Sequence, residues 1–314
     1  MKIIITTLLA ATVFLASCHQ YEKTKSGLVY KITSGGNKTT LKQGQFIKMN
    51  IEYKLGAKDS ILNSTYGHIP AFMMIDTARM GKYNFTEVIT KCALGDKLQF
   101  VMSIDTLKKL GMIPEYNNIF TKNDVIKGRL EILKVYNSEA EVNADYQKEI
   151  ESEKQKEVAD LDKYLSNKKI KAQKTASGVF VEIQNPGATP KADTGKQVSV
   201  YYTGYLLKNG NQVAKPFDTN VGKDAVHKDV FKVVLGSHSV IPGWEEGLKM
   251  LGKGGKGKLY IPAMMAYGMQ GQPPAIPPYS NLVFDVEVTD IGIPAPQAAA
   301  PAMPQMPQMP QQHK

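Results

Sequence analysis

Residues 240–251 read Val-Ile-Pro-Gly-Trp-Glu-Glu-Gly-Leu-Lys-Met-Leu, and how this stretch folds decides the architecture around it. Proline at a first helical turn forfeits no hydrogen bond, and Trp244, Leu248 and Leu251 recur at helical spacing, so a short helix with one apolar face is predicted from Pro242 to Met250. On either side the apolar residues alternate instead. Val198, Val200 and Tyr202 share one strand face, Phe231, Val233 and Leu235 another. Leu282, Phe284, Val286 and Val288 alternate with Val283, Asp285 and Glu287 in a last strand. Half-buried antiparallel strands laid over one helix make an α+β unit.

Working outward, the same region carries Tyr-Tyr-Thr-Gly at 201–204, Phe-Asp at 217–218, Val-Ile-Pro-Gly-Trp-Glu-Glu-Gly at 240–247, Ala-Tyr-Gly at 266–268, Ile-Pro-Pro at 276–278 and Leu-Val-Phe-Asp-Val-Glu at 282–287. In order and spacing these strings resemble the FKBP-type peptidyl-prolyl isomerases. The resemblance implies a five-stranded antiparallel sheet wrapped over one helix, with a shallow apolar pocket between them. Position by position it implies catalytic roles for Tyr202, Phe217, Asp218, Ile241, Trp244, Tyr267 and Phe284, with Trp244 as the floor and the Ile241 N–H and Tyr267 hydroxyl binding substrate carbonyls. Phe231, Val233, Val240, Gln272 and Ile276 would line the substrate site. Val233 replaces a frequent second phenylalanine and Gln272 a frequent histidine. The loop from Thr219 to Val230 lacks the arginine that often pairs with the family aspartate, leaving Lys223, His227 or Lys228 as substitutes.

A chain of 314 residues has room for two such cores. Ser26-Gly27-Leu28-Val29-Tyr30-Lys31-Ile32 matches Ser177-Gly178-Val179-Phe180-Val181-Glu182-Ile183 at an offset of 151, and Gly44 and Gly195 each precede an alternating strand. The chain therefore reads as two FKBP-like domains, a degenerate one at 26–136 and an isomerase domain at 172–291. The first copy has no tryptophan near Glu87 and no Ala-Tyr-Gly or Ile-Pro-Pro, so it is expected to fold without a catalytic pocket. Between them 138–171 is a charged helical linker opened by a capping box at Ser138 and Glu141. Its thin apolar stripe, Val142, Tyr146, Ile150, Val158, Leu161 and Leu165, is open to three readings: a homodimer seam, docking on its own domains, or a solvated spacer. The tail at 292–314, rich in Pro, Gln and Met, cannot bury enough surface to offset its ordering entropy and is expected to be disordered.

At the other end, Ile3 to Ala16 is apolar but too short to span a bilayer, and Leu15-Ala16-Ser17-Cys18 follows it directly. That order resembles a lipoprotein signal at 1–17, with lipid on Cys18 and a tether over 18–25. The expected location is extracytoplasmic, anchored to the cell membrane or outer membrane. Cys92 is then the single remaining thiol, which excludes an intrachain disulfide in the mature chain.

Several chemistries are set aside. Gly252 to Lys258 begins like a phosphate loop, but Leu259 stands where Ser or Thr is required and a strand follows. The five histidines show no ligand spacing, so no metal and no cofactor is expected. The excess of ten positive charges is not interleaved with aromatics, which argues against nucleic acid. Two functions remain: an isomerase assisting the folding of proline-containing exported polypeptides, or a non-catalytic FKBP-like binding or chaperone lipoprotein. The intact pocket strings favour the first.

Overall fold

The structure, a computed structural model, describes residues 21–56, 59–208, 210–223, 225 and 227–294. The apolar leader, Cys18 and the tail from residue 295 lie outside the described residues. The chain divides into two compact units, with the boundary between Glu153 and Lys154. Among the described residues, no helix is long and apolar enough to cross a membrane.

Unit 1 contains β1 (Glu22–Lys23), β2 (Val29–Thr33), β3 (Phe46–Leu55), β4 (Ser60–Ser64), β5 (Ala71–Met74), β6 (Lys97–Ser103), the short helix α1 (Ile104–Lys109) and β7 (Val125–Tyr136). All pairings are antiparallel, in the order β1-β2-β6-β7-β3-β4, and β5 also pairs β3. Alternation along β3 and β7 sends Ile47, Met49, Leu130 and Ile132 into a core shared with Leu28, Leu98 and Phe100. In place of a helix near Glu87 there are two 3-10 turns, Phe85–Glu87 and Ile89–Lys91. Asn84 caps the first by accepting the Thr86 N–H.

The helix α2 (Glu139–Lys168) matches the predicted charged rod to within a few residues. Its apolar stripe is occupied within the chain. In unit 1, Tyr146 packs edge-on against Phe72 at 5.4 Å, and Lys48 pairs with Asp145 (3.0 Å) and with Glu149. In unit 2, Leu161, Tyr164 and Leu165 are buried with Phe180, Tyr260 and Val283. The unit boundary thus falls inside this helix; the first half packs on unit 1, and the second half is part of a buried cluster of unit 2.

Unit 2 holds β8 (Gln173–Lys174), β9 (Phe180–Asn185), β10 (Gln197–Lys208), β11 (Asn211–Gln212), β12 (Asp218–Thr219), β13 (Phe231–Val234), the helix α3 (Pro242–Leu248), β14 (Lys256–Ile261) and β15 (Asn281–Gly292). The order is β11-β10-β15-β14-β9-β8, with β12 and β13 also pairing β10. Five of these strands form the sheet that the resemblance implied, and the two-residue strands extend it. One face of the sheet packs on α3 through Val198, Val200, Leu259, Phe284 and Val286; the opposite face carries Tyr260 and Val283 against the second half of α2. The sheet is therefore covered on both sides, which keeps the α3 side rigid enough to hold a pocket.

Candidate active site

The site lies between α3 and the β10/β15 face of unit 2, a cavity of about 430 Å³ lined by Tyr202, Phe217, Asp218, Phe231, His238, Ser239, Val240, Ile241, Trp244, Tyr267 and Phe284. The elements deliver these side chains by simple rules. Period-two alternation brings Tyr202 from β10 and Phe284 from β15 to the α3 side. Ile241 is the residue before the first turn of α3, so its N–H is one of those that a helix cannot pair internally. Trp244, one turn in, is buried at the floor.

The walls are aromatic edges set against aromatic faces. Trp244 meets Tyr202 at 5.0 Å, Phe284 at 5.2 Å and Phe231 at 5.8 Å, all near perpendicular. Phe217 stands at 88° to Phe284, 5.6 Å away. Such T-shaped pairs place ring edges against ring faces and fix one another's rotation. The polar part of the wall is a pair: the Tyr202 hydroxyl donates to Asp218 Oδ2 at 2.7 Å. Burial and the hydrogen bond to Asp218 push the Tyr202 hydroxyl well above the ordinary tyrosine range, and burial followed by the Asp218 charge pushes Tyr267 upward. Both phenols therefore stay protonated across the neutral range.

Most of the residues singled out in the sequence converge here: Tyr202, Phe217, Asp218, Phe231, Val240, Ile241, Trp244, Tyr267 and Phe284 line one cavity. Three do not. Val233 pairs with Val198, two residues along β13 from the Phe231–Val200 pair, and is buried in the core. Ile276 is likewise buried in the core. Gln272 exchanges two backbone hydrogen bonds with Ile276 and closes a turn outside the cavity lining. Asp218 is held by Tyr202, and none of the ion pairs of the described residues joins it to Lys223, His227 or Lys228.

His238 and Ser239 were not anticipated as lining residues. Glu245, buried on α3, accepts the backbone N–H groups of Gly236 (3.1 Å) and His238 (3.0 Å) and so ties their loop to the helix beside the cavity. A buried glutamate seven residues after a histidine was the available signal, but neither residue belongs to a periodic pattern.

Unit 1 has a smaller cavity of about 260 Å³ lined by Met73, Met74, Asp76, Arg79, Met80 and Thr86, with no aromatic wall.

An aromatic slot closed at the bottom by an indole fits a small apolar kink of polypeptide. Sequence comparison supplies the class. Residues 189–289 match the family model described as FKBP-type peptidyl-prolyl cis-trans isomerase. An FK506-binding protein of Neisseria meningitidis serogroup B is 36% identical over 114 residues, which cover 36% of this chain and 96% of that protein. The 46 kDa FK506-binding nuclear protein of Spodoptera frugiperda is 43% identical over 116 residues, 37% of this chain but only 26% of that one. A crystal structure of FkpA from Escherichia coli aligns over 49% of this chain and 68% of its own at 32% identity, with a TM-score of 0.37. The chain belongs to the FKBP-type peptidyl-prolyl cis-trans isomerases, and unit 2 is its isomerase domain.

Proposed function

We propose that the protein is a lipid-anchored prolyl isomerase that assists the folding of exported polypeptides, with unit 2 as its catalyst. The observation that carries the catalytic part is the cavity itself, where three rings surround Trp244 and the Tyr202 hydroxyl pairs with Asp218. The anchoring part rests on Cys18, placed directly behind a short apolar stretch.

Rotation about an Xaa-Pro bond must break amide resonance, a barrier of roughly 18–20 kcal/mol. The planar imide is polar, with negative charge on oxygen; the twisted one is less so, and its nitrogen becomes more pyramidal. A dry aromatic site penalises the planar ground state more than the twisted state, so the barrier falls. In this reading the Ile241 N–H and the Tyr267 hydroxyl hold flanking carbonyls of the substrate, which fixes the backbone while the bond turns. The bond between Tyr202 and Asp218 keeps the aspartate from competing for the substrate's own N–H groups. Each step of about 1.4 kcal/mol is tenfold in rate, so a few such contacts suffice.

The test uses the full chain and peptides with an apolar residue before proline. The expected result is acceleration that falls at least tenfold in Asp218→Ala, with membrane association lost in Cys18→Ser. Unaccelerated isomerisation would overturn the catalytic reading, and a Cys18→Ser protein that stays with the membrane would overturn the anchor.

A further inference from the structure

One feature of the sequence is left unused by this function. The tail carries Met303-Pro304, Met306-Pro307 and Met309-Pro310, three identical apolar-proline bonds spaced three residues apart, with no charged residue between Pro294 and His313. The cavity of unit 2 accepts this chemistry. Its walls are the rings of Tyr202, Phe217, Phe231, Trp244, Tyr267 and Phe284. A thioether is flexible and makes favourable contacts with ring edges, so methionine before proline suits such a slot better than a β-branched or charged residue.

Reach discriminates among the tail's prolines. Phe284 in the cavity wall and Gly292 at the strand end are eight residues apart on β15, about 26 Å at about 3.3 Å per residue. Beyond it Ile293 is 82% exposed. A proline-rich chain advances about 3.1 Å per residue. From Gly292, the Ala295-Pro296 bond can return only about 9 Å, and Ala300-Pro301 about 25 Å. Met303 can return about 34 Å, and the two later methionines further still. The Met-Pro bonds are the ones that clear the distance with chain to spare. Tethering through so short a segment keeps them at an effective concentration on the order of millimolar at their own site, and three copies multiply the chance that one is seated.

We propose that the Met-Pro bonds of the tail occupy the isomerase cavity of the same chain as a resident ligand that clients must displace. The proposal rests on the isomerase reading of that cavity. The tail then sets a threshold: polypeptides that present apolar-proline bonds weakly or singly are held off, and those that present them at high local density are turned over.

The experiment compares the full chain with a full-length variant carrying Pro304→Ala, Pro307→Ala and Pro310→Ala, outside every described packing contact, using a Met-Pro test peptide. KM in the variant is expected to drop about threefold or more with kcat unchanged, because an intramolecular competitor has been removed. A synthetic peptide spanning residues 300–314, added to the variant, should restore the higher apparent KM competitively. Equal KM values in the two active proteins overturn the proposal alone. A difference that vanishes on tenfold dilution of the enzyme assigns the tail to a second copy and overturns occupancy in cis. Inactivity of both proteins overturns the isomerase reading and the proposal with it.

Discussion

Gly204 on β10 pairs with Phe284 on β15, and a Cβ added there would lie 2.7 Å from Phe217 Cζ and 2.7 Å from Phe284 Cε1. The perpendicular contact of these two rings exists because that position has no side chain. Gly204→Ala should force one ring aside at a cost of about 1–3 kcal/mol, typical of overpacking. The expected readout is a lower kcat/KM with the circular dichroism of the sheet retained; unchanged kinetics would show that the Phe217 wall is dispensable. A second expectation concerns pH. Tyr202 and Tyr267 both have raised pKa values, so each keeps its proton to higher pH than a free tyrosine. A raised phenol loses its proton later, and the rate should therefore stay level from about pH 7 to 9.5, measured on a peptide without titrating groups. A decline centred at or below pH 9.5 would contradict it. At this scale periodicity stated which face a residue on a strand or at a helix start occupies, though not its depth: Val233 shares the face of Phe231 on β13 yet is buried in the core. Ile276 and Gln272 were misplaced for the opposite reason: they lie on a loop, where the turn closed by their two backbone bonds, and not periodicity, decides what points inward.

Among the elements, α2 was legible as a helix and as an amphipathic one, since Leu161 and Leu165 recur at four-residue spacing. What the stripe packs against was not legible. An apolar stripe states that a surface is buried and is silent about its partner. The structure supplies that partner in each unit, and in unit 2 it is the sheet face behind the active site, with Leu161 fully buried and Tyr164 6.0 Å from Tyr260. The isomerase domain accordingly includes the second half of α2 as part of its core. Leu161→Ala should destabilise unit 2 by about 2–4 kcal/mol, the range for leucine deletions in packed cores. Thermal unfolding followed through Trp244, the chain's one tryptophan, reads unit 2 selectively, and an unshifted transition would mean that the helix is not part of this core.

Across the whole chain, the repeat that appears in the sequence as one matching string and a pair of glycines is complete in the topology. Read from the other end, the order in unit 1 is β4-β3-β7-β6-β2-β1, strand for strand that of β11-β10-β15-β14-β9-β8, with β5 and β13 in corresponding places. The register irregularity between Lys48 and Met49 recurs between Ser199 and Val200 at the same offset of 151. Glu87 accepts a hydrogen bond from Ser26, as Glu246 does from Ser177, which aligns Phe85 with Trp244. The pairings also show where the two units differ at the position of the unit 2 pocket. Leu259 faces Phe284, which faces Gly204; in unit 1 the corresponding residues are Phe100, Gly128 and Tyr53, so large and small residues have changed places. Phe100 now lies 5.9 Å from Phe85 and 5.7 Å from Tyr53, filling from within the volume that unit 2 leaves open. Burial pushes the Tyr53 hydroxyl up to about 12. Alternation alone could not reveal this exchange, because both arrangements are apolar on the same face. The two aligned residues provide the test in the full chain. Trp244→Leu should lower isomerase activity roughly tenfold or more through loss of the floor, and each tenfold corresponds to about 1.4 kcal/mol of barrier. Phe85→Leu should leave kcat and KM within about twofold, because Phe85 packs in a core separate from that of the site. Should Trp244→Leu fold and retain most of the activity, or Phe85→Leu remove a large share of it, catalysis would have to be assigned in part to unit 1.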